Sequence, residues 1–263
     1  MDSLEFTLSV TPDRLVEIKH ELAELLIRVR FNRKQLESLL GKLNFVVACV
    51  YSSRVFISRL LNVLRSTPPK AAIPVSDELR ADIQWWHEFM EVYNGTSVIC
   101  TFPWSSPDEL ISSDACLVAC GALSTRGFFH KAFPKQIVDL NLHINALEML
   151  TLVVAVRTFV SEIRGQRFVM YCDNASTVSV VSTGKARDQF MQACLRELVW
   201  ILAQNEAEIR VLHIDTVSNR SADLLSRWDL SPSYPAEFRQ RTSHLQLSEL
   251  HVPDEAFLFQ HTW

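Results

Sequence analysis

Arg167-Phe168-Val169-Met170-Tyr171-Cys172-Asp173-Asn174 is the stretch on which the fold turns. An apolar run of strand length follows Gly165 and ends in an acid and an amide. That pattern predicts a buried strand over Arg167–Cys172 that enters a helix at Asn174. Upstream, Leu142–Ile163 reads as a helix stopped by Gly165. Before it, Leu110–Val118, Gly121–Ser124 and Gly127–Phe133 read as strands, with Thr125-Arg126-Gly127 as a turn. Downstream, Gly184 separates the helix begun at Asn174 from another at about Asp188–Asn205. Ile209–Ile214 reads as a fifth strand and Asn219–Arg227 as a short last helix. Three antiparallel strands followed by an α-β-α-β-α alternation predict an α/β domain over 104–228, a mixed five-stranded sheet with flanking helices.

Four carboxylates punctuate this pattern. Asp114 interrupts the apolar run Leu110–Val118. An acid there is costly to bury unless it is paired or metal-bound; the alternative is a strand-edge residue facing solvent. Glu148 lies in a segment that is apolar nearly all round, so its side chain must address solvent, a partner or a site. Asp173 stands where an α/β strand ends, the place such sheets put ligands, and it is equally suited to cap the following helix. Asp223 falls in the first turn of the last helix, where the macrodipole already favours an acid. Acids placed where strands end can converge, and three or four carboxylate oxygens are what hard divalent ions require. Such a cluster can cleave phosphodiesters by two-metal catalysis.

The first hundred residues speak a different grammar. Leu4, Phe6, Leu8 and Val10 alternate with polar residues and suggest a short strand. Thr11-Pro12-Asp13 then opens a helix with Leu15, Ile18, Leu22, Leu25 and Leu26 along one stripe. A long helical stretch runs from about Lys34 to Arg65, with a break expected near Tyr51-Ser52-Ser53, and Thr67-Pro68-Pro69 ends it. Ser76 caps a further helix with Leu79, Ile83, Trp86 and Phe89 on one face, and Asn94-Gly95 is a turn. Region 1–100 is therefore mainly helical. The segment 229–263 has no strong period and is expected to be loosely ordered or to pack on a neighbour.

Charge and cysteine usage narrow the function classes. The chain's formal net charge is −4, which does not advertise nucleic-acid binding. Between Arg28 and Lys70, however, nine basic residues stand against one acid, Glu37. Such a local footprint is suited to tracking phosphates, and equally to a solvated helix surface. The six cysteines form no Cys-x-x-Cys pair and no zinc-type spacing with histidine, and most lie within apolar runs, where Cys behaves as a small buried hydrophobe. Reduced thiols, no signal peptide and no apolar span free of charge favour an intracellular setting without a membrane, nuclear or cytoplasmic.

Taken in order, the four acids and their neighbours resemble the ribonuclease H domains of retroelement reverse transcriptases. Ser113-Asp114-Ala115-Cys116 is similar to that family's Thr-Asp-Ala-Ser strand, and Ile144-Asn145-Ala146-Leu147-Glu148-Met149-Leu150 to its Glu-bearing helix. Tyr171-Cys172-Asp173-Asn174 matches the third acid, and Asn219-Arg220-Ser221-Ala222-Asp223-Leu224-Leu225-Ser226-Arg227 the Asn-x-x-Ala-Asp-x-Leu-Ser-Arg ending. Leu39-Leu40-Gly41-Lys42-Leu43-Asn44-Phe45 and Asp82-Ile83-Gln84-Trp85-Trp86, followed by Tyr93-Asn94-Gly95, resemble thumb and connection segments of DIRS-type retrotransposon reverse transcriptases. The resemblance covers about residues 4 to 228. No Asp-Asp dipeptide occurs, so the polymerase palm signature is missing. The chain departs from the family in Ile214-Asp215-Thr216-Val217-Ser218, which lacks glycine, and in Ala119-Cys120-Gly121-Ala122.

The resemblance implies a ribonuclease H-like fold and hydrolysis of the RNA strand of RNA–DNA hybrids, leaving 5′-phosphate and 3′-hydroxyl ends. Asp114, Glu148, Asp173 and Asp223 would be both the catalytic residues and the ligands of two Mg²⁺ ions, with Mn²⁺ able to substitute. Arg28, Arg30, Arg33, Lys34, Lys42, Arg54 and Arg59 are candidates for gripping the hybrid, with Arg126, Lys131, Asn174 and Lys185 in the nuclease domain. His213 stands either as the family's product-release histidine or as a hydrogen-bonded strand-end residue. A polymerase palm and fingers would be supplied by a longer chain. Two rivals remain: a catalytically silent nucleic-acid-binding relic or host-adopted fragment, and a transposase or integrase built on the same fold.

Overall fold

Cys172 and Asp173 fall where the sequence places them, at the end of a buried strand and the mouth of a helix. The computed structural model describes residues 7–49, 51–93, 95–98, 104 and 111–260. The expectations at Leu4, Phe6, Asn94 and Leu110 lie outside these residues. Two units result, Met1–Thr101 and Phe102–His261.

The first unit is helical. A short strand β1 (Thr7–Ser9) precedes α1 (Pro12–Leu26). After β2 (Arg30–Phe31) come α2 (Arg33–Cys49), a 3-10 turn over Tyr51–Arg54, and α3 (Val55–Ser66), so the expected long helix is broken at the expected place. Strand β3 (Ile73–Pro74) pairs with β2, and β4 (Thr96–Val98), which follows α4 (Asp77–Val92), pairs with β1. Thr11 occupies the N-cap of α1 but makes no side-chain cap bond, whereas Ser76 accepts from Leu79 N at 3.2 Å. The Trp-Trp pair belongs to the core: Trp85 stacks on Phe56 at 3.8 Å between centroids, and Trp86 is fully buried.

The second unit is the α/β domain. Its strands β5 (Ile111–Ala115), β6 (Ala119–Leu123) and β7 (Gly127–Ala132) form an antiparallel meander. The short α5 (Lys135–Val138), then α6 (Ile144–Thr158) and α7 (Val160–Ile163), lead to β8 (Arg167–Cys172). Next come α8 (Ala175–Thr183), α9 (Gln189–Gln204), β9 (Glu208–His213) and α10 (Arg220–Ser226). Strand β8 pairs in parallel with β5 on one side and β9 on the other. The single helix expected over Leu142–Ile163 is interrupted at Phe159. At the residue before it, the Thr158 hydroxyl donates back to the Val154 carbonyl at 2.7 Å, a bond that bends helices. Every residue from Ala146 to Val156 is buried, which explains why α6 carries no polar face.

Among the described residues the sheet has six strands, not the five expected. The sixth, β10 (Ser248–Glu249), lies beyond α11 (Ser233–Arg241) in the segment read as loosely ordered. It adds parallel to the edge of β7, giving the order β10-β7-β6-β5-β8-β9. Two residues are too few to leave a period in sequence, and what they supply is backbone: Ser248 N donates to Arg126 O and Leu250 N to Phe128 O, at 3.0 and 2.8 Å. An edge strand is thereby covered. Phe238, Val252 and Phe257 bury their side chains, so 229–260 packs on its own domain. The architecture, a mixed sheet with helices, is consistent with a ribonuclease H-like fold. Among the described residues no helix is long and apolar enough to cross a membrane.

Candidate active site

Register brings the first and third acids level. Ser112 on β5 pairs with Tyr171 on the parallel strand β8. Two residues further along each, at the carboxyl ends of the strands, stand Asp114 and Asp173. Neighbouring strands lie about 4.8 Å apart, so the two acids share one stretch of the sheet's edge. Glu148 comes from the buried face of α6; its Oε2 lies 3.9 Å from Cys172 Sγ. Donor atoms of Glu148, Cys172 and Asp173 all fall within 4.8 Å of one another.

Asp223 arrives by close packing of α10 on the meander. Gly121 faces Asp114 across β5 and β6. A Cβ at Gly121 would lie 2.3 Å from Leu225 Cβ and 2.9 Å from Ser226 N, so only glycine lets the helix sit this close. Three polar contacts hold it there. The Asn219 amide donates to Ser113 O at 3.2 Å, Cys116 Sγ to Ser226 O at 3.0 Å, and the Ser226 hydroxyl to Asp114 Oδ2. Both Asp223 carboxylate oxygens are engaged, Oδ1 by Arg227 Nε at 2.5 Å and Oδ2 by Arg220 Nη1 at 2.6 Å.

Electrostatics ties the set together. Burial pushes the Asp114 carboxyl up to about 7; Asp173 and Asp223 push the same way, against the Ser226 bond and Arg227. Burial raises Glu148 to about 9, helped by Asp114 and Asp173 and opposed by the Ala115 backbone and Cys172. These are the marks of like charges gathered out of water. Burial also drives the Cys172 thiol up, with Glu148 next in effect. A thiol is a soft ligand and a carboxylate a hard one, so the carboxylates are the side chains that could hold a hard ion. That donor set fits a hard divalent ion such as Mg²⁺.

The remaining candidates fall into two groups. Arg33 donates to the carbonyls of Leu64 and Thr67 at 2.9 and 2.7 Å, Lys42 pairs with Glu17 and Glu21 at 2.6 Å each, and Arg59 bonds the Glu78 carbonyl and lies 3.4 Å from buried Asp82. Arg28 lies 3.9 Å from Glu24, and Lys131 2.8 Å from Asp254. The Asn174 amide caps α8 through Thr177 N and donates to Asn145 at 2.9 Å. These side chains have structural partners. By contrast, Arg30, Lys34, Arg126 and Lys185 are exposed, and Arg54 is exposed at the end of the 3-10 turn. His213, at the end of β9, donates Nε2–H to the Asp173 carbonyl at 3.2 Å. Sequence reasoning did not single out Ser226, Arg220 and Arg227, although their spacing of three, three and four residues from Asp223 places them on its helix face.

No protein-family model and no curated protein sequence matches the chain. Among solved structures it is similar to a foamy viral protease-reverse transcriptase, determined in complex with dsDNA, at 13% identity and a TM-score of 0.29. That match covers 76% of this chain and 41% of the viral one, so the chain spans about two fifths of the protein it matches.

Proposed function

We propose that the chain is the ribonuclease H portion of a retroelement reverse transcriptase of the DIRS type, and that it hydrolyses the RNA strand of RNA–DNA hybrids. The gathering of Asp114, Glu148, Asp173 and Asp223 at the carboxyl edge of the sheet carries this reading. Two Mg²⁺ ions, or Mn²⁺ in their place, would activate the attacking water and stabilise the leaving 3′ oxygen. Asp114, Glu148 and Asp173 would hold them, and ionising Asp114 and Glu148 readies the site to do so. Asp223 joins through the oxygens now shared with two arginines. His213 stands beside Asp173 and is exposed enough to meet a departing strand. Arg30 and Lys34 in the helical unit, and Arg126 and Lys185 in the α/β unit, are the exposed side chains that would meet phosphates, and 2′-hydroxyl contacts would mark the RNA strand. A polymerase palm and fingers in a longer chain would complete the partner set.

One observation favours a silent nucleic-acid-binding relic instead: both oxygens of Asp223 are neutralised by arginine. Incubating a labelled RNA–DNA hybrid with the chain and Mg²⁺ separates the two. Metal-dependent cutting of the RNA strand, abolished by Asp173→Asn, supports the nuclease; binding without cutting supports the relic.

A further inference from the structure

Arg220 is shared. Its Nη1 reaches Asp223 at 2.6 Å, while Nε and Nη2 make a two-pronged contact with Glu237 on α11 at 2.9 and 2.8 Å. We infer that Glu237 is a positioning residue for the candidate metal site, engaging the Arg220 guanidinium so that less positive charge opposes a divalent cation at the Asp223 carboxylate. This deepens, and rests on, the reading of the four acids as a metal centre.

The geometry supplies the argument. Asp223 faces two guanidinium groups, and a carboxylate outweighed by two cations repels a third. Glu237 offsets one of them: the Nε–Nη2 edge of Arg220 is the fork that carboxylates match best, and Glu237 occupies it, leaving Asp223 a single donor. Helix α11 is held where this requires. Phe238 is buried among Leu123, Ala222, Leu224 and Leu225, and its ring lies 4.8 Å from Phe128. The neighbour of Glu237 thus fastens α11 to the helix that carries Asp223. Arg220 also lies over the Tyr234 ring at 5.8 Å, a second contact on the α11 side. Without Glu237 the guanidinium has one anionic partner left, and its whole charge turns on Asp223.

The test measures Mn²⁺ binding to the full chain without nucleic acid, by electron paramagnetic resonance or calorimetry. Glu237→Gln should weaken binding about three- to tenfold, as fits one partly exposed charge changed beside a site. Arg220→Gln alone should tighten it, and the double variant should bind as tightly as the native chain or better. Equal binding by Glu237→Gln and the native chain overturns the inference. So does a double variant as weak as Glu237→Gln, since Glu237 would then merely fasten α11, and so does weaker binding by Arg220→Gln. A native chain that binds no Mn²⁺ takes down the metal-centre reading along with this one, an outcome separate from the others because it is seen before any substitution.

Discussion

The Ser226 hydroxyl donates to Asp114 Oδ2, joining the last helix of the α/β arrangement to its first strand across 112 positions of sequence. Both side chains are buried, and the same hydroxyl lies 3.0 Å from the Asp223 carbonyl. One serine therefore ties the helix bearing the fourth acid to the first acid itself. Ser226→Ala removes a bond that favours the ionised form of Asp114, so the Asp114 pKa should rise further above its ordinary value. The expected outcome is an acid limb of the cleavage pH profile displaced to higher pH, with a loss of about 1–3 kcal/mol in stability at alkaline pH, where the carboxylate is left buried and short of a donor. A pH–rate profile and denaturant melts at pH 6 and pH 9 check both parts.

Protonation of the cluster predicts how stability follows pH. The Asp114 and Glu148 pKa values stand above the ordinary carboxyl values of 3.8 and 4.5, at about 7 and about 9. The folded chain therefore holds protons that the unfolded chain has released. Stability should fall as pH rises from about 4 to about 9, the window between those ordinary and raised values. A bound divalent cation reverses the sign by compensating the carboxylates. Mg²⁺ should thus raise Tm strongly at pH 8.5 and little at pH 5, and Asp114→Asn should flatten the metal-free curve. A Tm that climbs steadily with pH without metal would contradict the assignment of the raised pKa values to this cluster.

How far the sequence foretold this site depends on the distance over which each signal acts. The strand Arg167–Cys172 was legible because an apolar run followed by Asp173-Asn174 is a local pattern, and local patterns survive folding. The break near Tyr51 and the cap at Ser76 were legible for the same reason. Strand β10 was not: its two residues pair by backbone atoms, and nothing in Ser248-Glu249 records the partner. The basic stretch misled in part for a related reason. Composition counts charges but not partners, and the acids that engage Lys42 lie over twenty positions upstream on α1. Glu237 had no signal at all, because its role depends on how α11 docks against α10.

Gly121 tests the packing that delivers Asp223. A methyl group there would meet Leu225 Cβ at 2.3 Å and Leu225 backbone carbon at 2.7 Å, both on a helix that also packs in one cluster with Phe238. Overpacking of this kind costs about 1–3 kcal/mol. Gly121→Ala should therefore fold with reduced stability and push α10 outward, separating Asp223 and Ser226 from Asp114. Cleavage should fall by about 10²-fold or more, since roughly 1 Å of misplacement suffices for that. Thermal melts and Mn²⁺ binding read the two effects separately: a variant with lowered Tm but unchanged metal affinity would show that the position of α10 does not govern the site.

The two kinds of basic residue in the helical unit should part company in a binding experiment. Lys42 is largely covered and bonded at 2.6 Å to both Glu17 and Glu21, and those carboxylates hold its pKa up against its own desolvation. Arg30 and Lys34 are exposed on β2 and α2. A cation already bonded to two carboxylates has little left to offer a phosphate, whereas an exposed one releases counterions when a duplex arrives. Lys42→Gln should therefore lower stability by at most about 1 kcal/mol and leave hybrid affinity nearly unchanged. Arg30→Gln and Lys34→Gln should leave the melt alone, weaken binding, and reduce the slope of log K against log salt by about 1 each. Salt titrations of hybrid binding on the three variants decide it. If Lys42→Gln lowers the slope while Arg30→Gln and Lys34→Gln do not, the phosphate contacts run along the α1–α2 face instead of the α2 N-terminus.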